Sequence, residues 1–292
     1  MRVRALAVLL IATAALGGCT EGVLDPKGPI AAAERQILFN SLAIMLAIVI
    51  PTILATLGVA FWYRSSNQRA RYLPDFEYSG RLELLVWSIP AMTVLLVGGV
   101  AWVGAHDLDP RKPIASAQQP VVVQVVSLDW KWLFIYPEQG IASVNHLTVP
   151  VGTPVSFELT SSSVMNSFFV PQLGSQIYTM SGMVTRLQLQ ADHAGTYPGL
   201  SANFSGDGFA DMRFDVDAVS VEQFAQWIAQ ARSSGAVLDA ATYADLAKPS
   251  KAVAPSTYGA VAPKLFHNIA NPPSAMNVTA QLACSAPQRS EK

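Results

Sequence analysis

The sequence is poor in the side chains that build thiolate metal centres. Its 292 residues include two cysteines, Cys19 and Cys284, and four histidines. A zinc or iron–sulfur centre held by thiolates usually needs about four such ligands close together. The composition therefore argues against a centre of this kind.

Charged residues are scarce as well. Asp, Glu, Lys and Arg make up 13% of the chain, against roughly 25% in typical soluble domains. Hydrophobic residues make up 51%, and the formal net charge is −1. The chain lacks the basic excess that favours binding to nucleic acid. We therefore predict membrane-spanning segments beside a soluble part, and no nucleic-acid partner.

Two long runs contain no charge at all. Residues 42–63 form a run of 22 residues, and residues 84–103 form a run of 20. About 20 apolar residues cross the hydrocarbon core of a bilayer. We predict a two-helix transmembrane hairpin, with spans at about 38–63 and 83–105, inside an N-terminal segment of residues 19–110. The alternative is a pair of helices buried in a globular core.

The connection between the two runs is basic. It contains Arg64, Arg69, Arg71 and Arg81. Short cytoplasmic loops are enriched in Lys and Arg, so this connection is predicted to face the cytoplasm. The chain on both sides of the hairpin then faces outward, and the part after the second run forms a periplasmic domain.

The N-terminus resembles a secretory signal. Arg2 and Arg4 precede an apolar stretch at residues 5–15 that is too short to span a bilayer. It ends in Leu-Gly-Gly-Cys, which is similar to the cleavage box of bacterial lipoproteins, in which the cysteine becomes the lipidated N-terminus. We predict a signal peptide at residues 1–18 and lipidation of Cys19, which would leave Cys284 without a disulfide partner. An ordinary signal peptide with an incidental cysteine is the alternative.

The outward-facing part begins with strand patterns. Residues 121–130 are rich in β-branched side chains, and residues 155–159 and 186–190 alternate with a period of two. Turns rich in Pro and Gly, such as residues 149–154, separate them. Short strands with frequent turns predict an antiparallel β-sandwich at residues 111–218.

The pattern changes after residue 218. Ser220 and Gln223 have the spacing of a capping box, and the apolar residues that follow predict an amphipathic helix at residues 221–231. From residue 250 the chain is rich in Pro, Ala and Ser, interrupted by Tyr258, Leu265 and Phe266. We predict a partly helical C-terminal extension at residues 219–292, ending in an extended, aromatic-rich tail that packs in places.

This layout resembles subunit II of the haem-copper terminal oxidases. The stretches that carry the resemblance are RLELLVWSIP at 81–90, SLDWKWLFIYP at 127–137, VMNSFFVPQLGSQIYTMSGM at 164–183 and GTYPGLSANFSGDGFADM at 195–212. The resemblance covers roughly residues 19–280 and implies a cupredoxin-like sandwich. Trp130, Trp132, Phe134 and Tyr136 alternate along one predicted strand. We interpret them as sheet packing and contact with a partner subunit.

Cytochrome c oxidases of this family carry a dinuclear copper centre in the last two of these stretches. Its pattern is His-Ser-Phe, then Cys-x-x-x-Cys-Gly-x-x-His-x-x-Met, with thiolates that bridge the coppers and with imidazoles and a thioether as further ligands. In this sequence the two histidine positions hold Asn166 and Phe209, the two cysteine positions hold Ser201 and Ser205, the glutamate position that lends a carbonyl holds Asn203, and the methionine position holds Met212. The resemblance therefore implies a loop that keeps its turns but has lost its metal.

Within the family, loss of this centre marks the quinol oxidases. Cytochrome c delivers electrons from water and needs a relay above the membrane, whereas quinol delivers them within the bilayer. The resemblance implies a structural subunit II of a bo-type, proton-pumping ubiquinol oxidase in a bacterial inner membrane. No residue of this chain is then expected to bind a cofactor or to act in catalysis. Haems and copper are expected in subunit I, the main partner; subunits III and IV, membrane lipid and ubiquinol are the other expected partners.

Other interpretations stay open from the sequence alone. One is a copper-bearing, electron-entry subunit of a cytochrome c oxidase, with a site rebuilt from His193 and Met212. Another is a free-standing periplasmic lipoprotein that acts as a binding module. A third is a hard-cation site at Asp207, Asp211 and Asp215, since carboxylates suit such ions, although turns also favour aspartate.

Overall fold

The computed structural model describes residues 22–71 and 73–271, which belong to two compact units. One unit is Ala32–Lys112, and the other comprises the chain up to Ala31 together with the chain from Pro113 onward. The predicted signal peptide and Cys19 lie outside the described residues.

Most of the first unit is formed by two long apolar helices, α1 (Pro29–Trp62), which enters it at Ala32, and α2 (Gly80–Asp107). Both are long and apolar enough to cross a membrane, and no residue of their most apolar 18-residue windows is buried. The alternative of two helices inside a globular core is therefore wrong. Exposed apolar surface of this extent requires lipid or another protein to cover it. The helix α1 begins earlier than the predicted span, because proline is favoured in a first helical turn and residues 31–37 are mostly good helix formers.

The second unit is a sandwich of two β-sheets. Its strands are β1 (Val121–Leu128), β2 (Lys131–Tyr136), β3 (Ile141–Val144), β4 (His146–Pro150), β5 (Val155–Ser161), β6 (Asn166–Phe169), β7 (Ile177–Thr179), β8 (Thr185–Leu189), β9 (Gly195–Ser201), β10 (Arg213–Val219), β11 (Val237–Leu238), β12 (Ser256–Tyr258) and β13 (Ala260–Val261). One sheet has the order β12-β3-β2-β1-β5-β8, and the other has the order β4-β10-β9-β6-β7. Strands β11 and β13 form a separate parallel pair.

The predicted sandwich is confirmed, but it is not antiparallel throughout. Strand β1 pairs with β5 in parallel, from Val121 opposite Val155 to Ser127 opposite Ser161. Strand β4 pairs in parallel with β10. A period of two shows which side chains share a face of a strand, but it carries no information about the direction of the neighbouring strand. The sequence pattern therefore could not distinguish these pairings.

The core of the sandwich is aromatic. Trp132, Phe134 and Tyr136 alternate along β2 and point into it, where the rings of Phe168 and Phe214 stack with centroids 5.0 Å apart. Trp132 packs edge-on against both of these phenylalanines. Offset and edge-on ring pairs each add about 0.5–1.5 kcal/mol beyond the burial of their area.

The intervening residues of β2 are buried on the opposite face by the C-terminal extension. Leu133 and Ile135 form a second cluster there with Leu265 and Phe266. The four residues are almost fully shielded from solvent. This double burial explains why β2 reads as a continuous apolar run rather than as a strict alternation of apolar and polar residues.

The C-terminal extension contains three helices, α3 (Val221–Ser233), α4 (Ala240–Leu246) and α5 (Leu265–Ala270). The predicted capping box is confirmed: Ser220 Oγ accepts from Gln223 N at 3.2 Å, and Ser220 N donates to Gln223 Oε1 at 3.0 Å. The tail after residue 250 is more ordered than the expected extended chain. Strand β12 adds to the sheet beside β3, and α5 packs on β2.

Residues 22–31, which comprise the segment before α1 and the first turn of α1, are held along the sandwich by backbone hydrogen bonds. Lys27 N donates to the carbonyl of Gln172 at 2.7 Å, and Asp192 N donates to the carbonyl of Lys27 at 2.8 Å. Gly28 lies so close to the sheet that a Cβ atom there would fall 2.0 Å from the carbonyl oxygen of Gln190. Residues 22–31 are thus a docked strap rather than a loose spacer.

Candidate functional site

The candidate site is the loop between β9 and β10, residues 202–212, at one end of the sandwich. Its shape depends on Trp130, which leaves the strand pattern at a positive φ of 64° instead of continuing the alternation of β2. The indole Nε1 of Trp130 donates to the carbonyl of Ser205 at 3.0 Å. Gly208 lies against the same ring, where a Cβ atom would fall 2.4 Å from the indole carbons. The loop is therefore fixed on the indole, and its glycine is required by this close approach.

Three of the predicted positions form one buried hydrogen-bond network. Ser201 Oγ lies 3.2 Å from Asn166 Oδ1 and 3.2 Å from the carbonyl of Asn203, and it can donate to either. It also accepts from Ser167 N at 3.5 Å. Asn166 and Ser201 are almost completely buried, so these polar groups need the partners that they have.

Strand pairing explains why residues far apart in the sequence meet here. Strands β6 and β9 are antiparallel neighbours, with Phe168 opposite Ser201. Asn203 then reaches back across the end of this pair, and its Nδ2 donates to the carbonyl of Met165 at 3.0 Å. The carbonyl of Asn166 accepts in turn from the hydroxyl of Thr179 at 3.4 Å, on the neighbouring strand β7.

The remaining predicted positions make weaker contacts. Ser205 Oγ lies 3.9 Å from the sulfur of Met212, which is almost fully buried in the sandwich core. Phe209 is turned toward the exposed Phe204, with ring centroids 5.5 Å apart. Met212 therefore fills the core beneath the loop, and Phe209 takes no part in the polar network.

These side chains do not fit a dinuclear copper centre. Bridging coppers requires soft thiolates, and nitrogen or sulfur donors complete their coordination. Here the corresponding atoms are hydroxyl and amide groups that bond to one another, and a phenyl ring that cannot coordinate a metal. Among the residues that the structure describes, no three His, Cys, Asp or Glu side chains are grouped so as to hold a metal ion.

The rebuilt site suggested by His193 and Met212 is excluded by geometry. Met212 lies beside the last residue of β9, since its carbonyl accepts from Ser201 N at 3.1 Å. His193 precedes the first residue of β9, which is seven residues long. At about 3.3 Å per strand residue, the two side chains are separated by about 20 Å. The third interpretation is not supported either, because the three aspartates fall in no candidate metal group among the described residues.

Sequence reasoning missed the buried lysine that follows Trp130 in the chain. Lys131, at the start of β2, is 1% exposed, and its Nζ donates to the carbonyl of Lys248 at 2.7 Å and to Ser250 Oγ at 2.5 Å. Burial lowers the pKa of the Lys131 ammonium below its usual value, although the nearby Asp129 raises it in part. No local pattern indicates this role, because the partners lie more than a hundred residues further along the chain.

Family comparisons agree with the two-part organisation of the second unit. Residues 137–219 match the family model described as the periplasmic domain of cytochrome c oxidase subunit II, and residues 232–272 match the one described as the COX aromatic-rich motif. The sandwich is therefore cupredoxin-like, as the resemblance implied.

Curated relatives match most of the chain. The cytochrome bo(3) ubiquinol oxidase subunit 2 of Pseudomonas aeruginosa is 48% identical over 254 residues, which cover 87% of this chain and 77% of the relative. The ubiquinol oxidase subunit 2 of Acetobacter aceti is 49% identical over 87% of this chain and 83% of its own length. The cytochrome bo(3) ubiquinol oxidase subunit 2 of Pseudomonas putida is 45% identical over 90% and 83%. With two exposed apolar helices, a cupredoxin-like domain and these relatives, the chain belongs to the family of ubiquinol oxidase subunit 2.

Proposed function

We propose that the chain is the structural, non-catalytic subunit II of a proton-translocating ubiquinol oxidase, which couples quinol oxidation to the reduction of oxygen to water. The observation that carries this proposal is the network of Asn166, Ser201 and Asn203. In this network, the polar side chains at the positions of copper ligands in other members of the family form hydrogen bonds with one another and with the backbone. An electron relay in this domain would need ligands that the network replaces, and we infer that Asn166, Ser201, Asn203, Ser205, Phe209 and Met212 are vestigial positions.

The electron donor gives a physical reason for the loss. Ubiquinol is apolar and dissolves in the bilayer, so its electrons reach the complex without crossing the periplasmic domain. A periplasmic copper relay then has no substrate to serve, while the sandwich can persist as a scaffold. The names of the relatives, which are ubiquinol oxidase subunits, support this assignment.

The partners follow from the same proposal. Haems and the active-site copper belong to subunit I, and the exposed apolar faces of α1 and α2 pack on subunit I and on lipid. Subunits III and IV complete the assembly. No atom of this chain is then assigned to the chemistry of oxygen reduction.

The proposed location is the bacterial inner membrane, with the sandwich and the C-terminal extension in the periplasm. The arginine-rich connection between the helices supports this orientation, and the Leu-Gly-Gly-Cys sequence supports removal of residues 1–18 and lipidation of Cys19. Intact-mass spectrometry of the mature chain tests the anchor. We expect a mass that begins at Cys19 and includes acyl chains, and an unmodified N-terminus at another residue would contradict the assignment.

The functional proposal is tested on the assembly purified through a tag on this chain. We expect haem to copurify and oxygen uptake to be driven by ubiquinol but not by reduced cytochrome c. Oxygen uptake driven by cytochrome c would identify a copper-relay subunit instead. A colourless preparation without haem would identify a free-standing lipoprotein.

A further inference from the structure

A groove of about 820 Å³ lies at the basic end of the helical unit, between the end of α1 and the connection that leads into α2. Its wall includes Tyr63, Arg64, Arg71, Leu73, Phe76 and Leu82. The groove thus brings guanidinium groups and large apolar side chains together at a point where an apolar helix ends.

The cationic wall is not fully paired by the residues that the structure describes. Arg71 makes no hydrogen bond or ion pair through its side chain with any residue that the structure describes. Arg64 uses its Nε to donate to Ser66 Oγ at 2.9 Å and one Nη to donate to the carbonyl of Phe61 at 3.3 Å, so part of its five-donor fork stays available. The nearby acids, Asp75 and Glu77, form no ion pair with described residues either.

The apolar wall of the groove is open to the surroundings. Leu73, Phe76 and Leu82 are each more than half exposed. Tyr63 is 60% exposed at the end of α1, where aromatic residues mark the interface between hydrocarbon and headgroups. An inorganic anion would use the arginines alone and leave this apolar wall uncovered.

We propose that this groove binds one anionic phospholipid, with its phosphate between Arg64 and Arg71 and its glycerol and acyl chains along Leu73 and Phe76. Arginine is suited to phosphate because its planar fork donates two parallel hydrogen bonds. Basic pockets at the cytoplasmic ends of membrane helices attract acidic headgroups. The bias of cytoplasmic loops toward positive charge accounts for arginines in this connection, but it does not account for a groove that pairs them with an apolar wall.

The test measures lipid binding to the full-length chain, purified in detergent and stripped of lipid, by native mass spectrometry. Phosphatidylglycerol, phosphatidylcholine and glycerol 3-phosphate are added separately. We expect selective retention of phosphatidylglycerol, with little binding of the other two. Equal binding of the two lipids would overturn the proposal, and so would glycerol 3-phosphate that binds as tightly as phosphatidylglycerol.

Variants then locate the site. Combined Arg64→Gln and Arg71→Gln should weaken phosphatidylglycerol binding on the order of tenfold per arginine, since each variant loses charge-assisted hydrogen bonds to the phosphate. Arg64→Lys with Arg71→Lys keeps the charge and should retain more binding than the glutamine pair. Arg111→Gln is the matched control, because Arg111 lies outside the groove beside Asp109.

A second pair of variants keeps the proposal testable if loss of the arginines prevents membrane insertion. Leu73→Ser with Phe76→Ser leaves every charge of the connection in place. It should still lower the affinity for phosphatidylglycerol, because the acyl chains lose their wall. Unchanged affinity in this pair, or in the glutamine pair when it inserts normally, would overturn the proposal.

Discussion

Replacement of Ser201 by alanine separates a structural role of the network at the β9–β10 loop from a catalytic one. Ser201 Oγ is buried and has three polar neighbours within 3.5 Å, namely Asn166, the carbonyl of Asn203 and the amide of Ser167. The alanine variant removes the hydroxyl, so either Asn166 Oδ1 or the carbonyl of Asn203 loses its donor, and Ser167 N loses its acceptor.

The magnitude follows from this loss. An unsatisfied buried polar group costs about 1–3 kcal/mol, whereas the removed volume is a single oxygen. We therefore expect Ser201→Ala to lower the free energy of unfolding by about 1–3 kcal/mol. For a unit of this size, each kcal/mol of lost stability lowers the melting temperature by roughly 2–4 °C.

Ser205→Ala is the matched control. Its hydroxyl stands at the second cysteine position of the family pattern, but among the described residues its only hydrogen-bonding neighbour is the sulfur of Met212 at 3.9 Å. We expect a change within about 0.5 kcal/mol. Thermal unfolding of the full-length chain in detergent, followed by tryptophan fluorescence, measures both variants.

Quinol-driven oxygen uptake, expressed per haem of the purified assembly, provides the functional readout. We expect both variants to match the native complex, although less of the Ser201→Ala complex should accumulate. The reasoning is refuted if Ser201→Ala lowers turnover per haem in a stable complex, or if both serine variants are destabilised equally.

Three further changes test the packing around the site. Gly28→Ala should release the N-terminal strap, because its Cβ would collide with the carbonyl of Gln190, and hydrogen exchange in residues 22–31 should rise. Tyr136→Phe should cost about 1–3 kcal/mol at neutral pH, since the hydroxyl bonds both the amide and the carbonyl of Thr148. Burial raises the pKa of Tyr136, so the native chain should lose stability above pH ~10 as its unfolded state ionises, and the difference between the two proteins should shrink there. Lys131→Met should loosen residues 248–250 and increase their cleavage by protease, and unchanged cleavage would contradict the contacts described for this lysine.

Sequence patterns predicted the individual helices and strands better than they predicted which elements pair or pack together. The two membrane helices could be predicted because the length and the lack of charge of the runs of 22 and 20 residues are visible in the sequence itself. The capping box at Ser220 could be predicted because it depends only on two residues that are three positions apart. By contrast, the parallel pairing of β1 with β5 depends on the path that the chain takes through the strands between them, β2 to β4. The packing of Phe266 on Leu133 and Ile135 likewise joins segments that are far apart in the sequence, and the periodicity of neighbouring residues cannot reveal such a contact.

The site could be predicted only as a set of positions. Comparison with the family's metal pattern placed Asn166 and Ser201 at ligand positions of that pattern, but it could not show that their side chains lie 3.2 Å apart. That contact requires strands β6 and β9 to be neighbours, which residue types alone do not fix. The support of the loop by Trp130 was missed for a related reason, since the alternating pattern suggested a strand position and the backbone instead turns there.

Copper binding by this chain tests the central claim most directly. The full-length chain is purified in detergent, exposed to equal amounts of Cu(I) and Cu(II) without excess reductant, freed of unbound metal, and analysed for bound copper and for the paramagnetic signal of a mixed-valence copper pair. A variant with Asn166→His, Ser201→Cys, Ser205→Cys and Phe209→His is the positive control, because it restores the ligand types of the family pattern. We expect the native chain to retain no stoichiometric copper. A mixed-valence pair in the native chain would contradict the account.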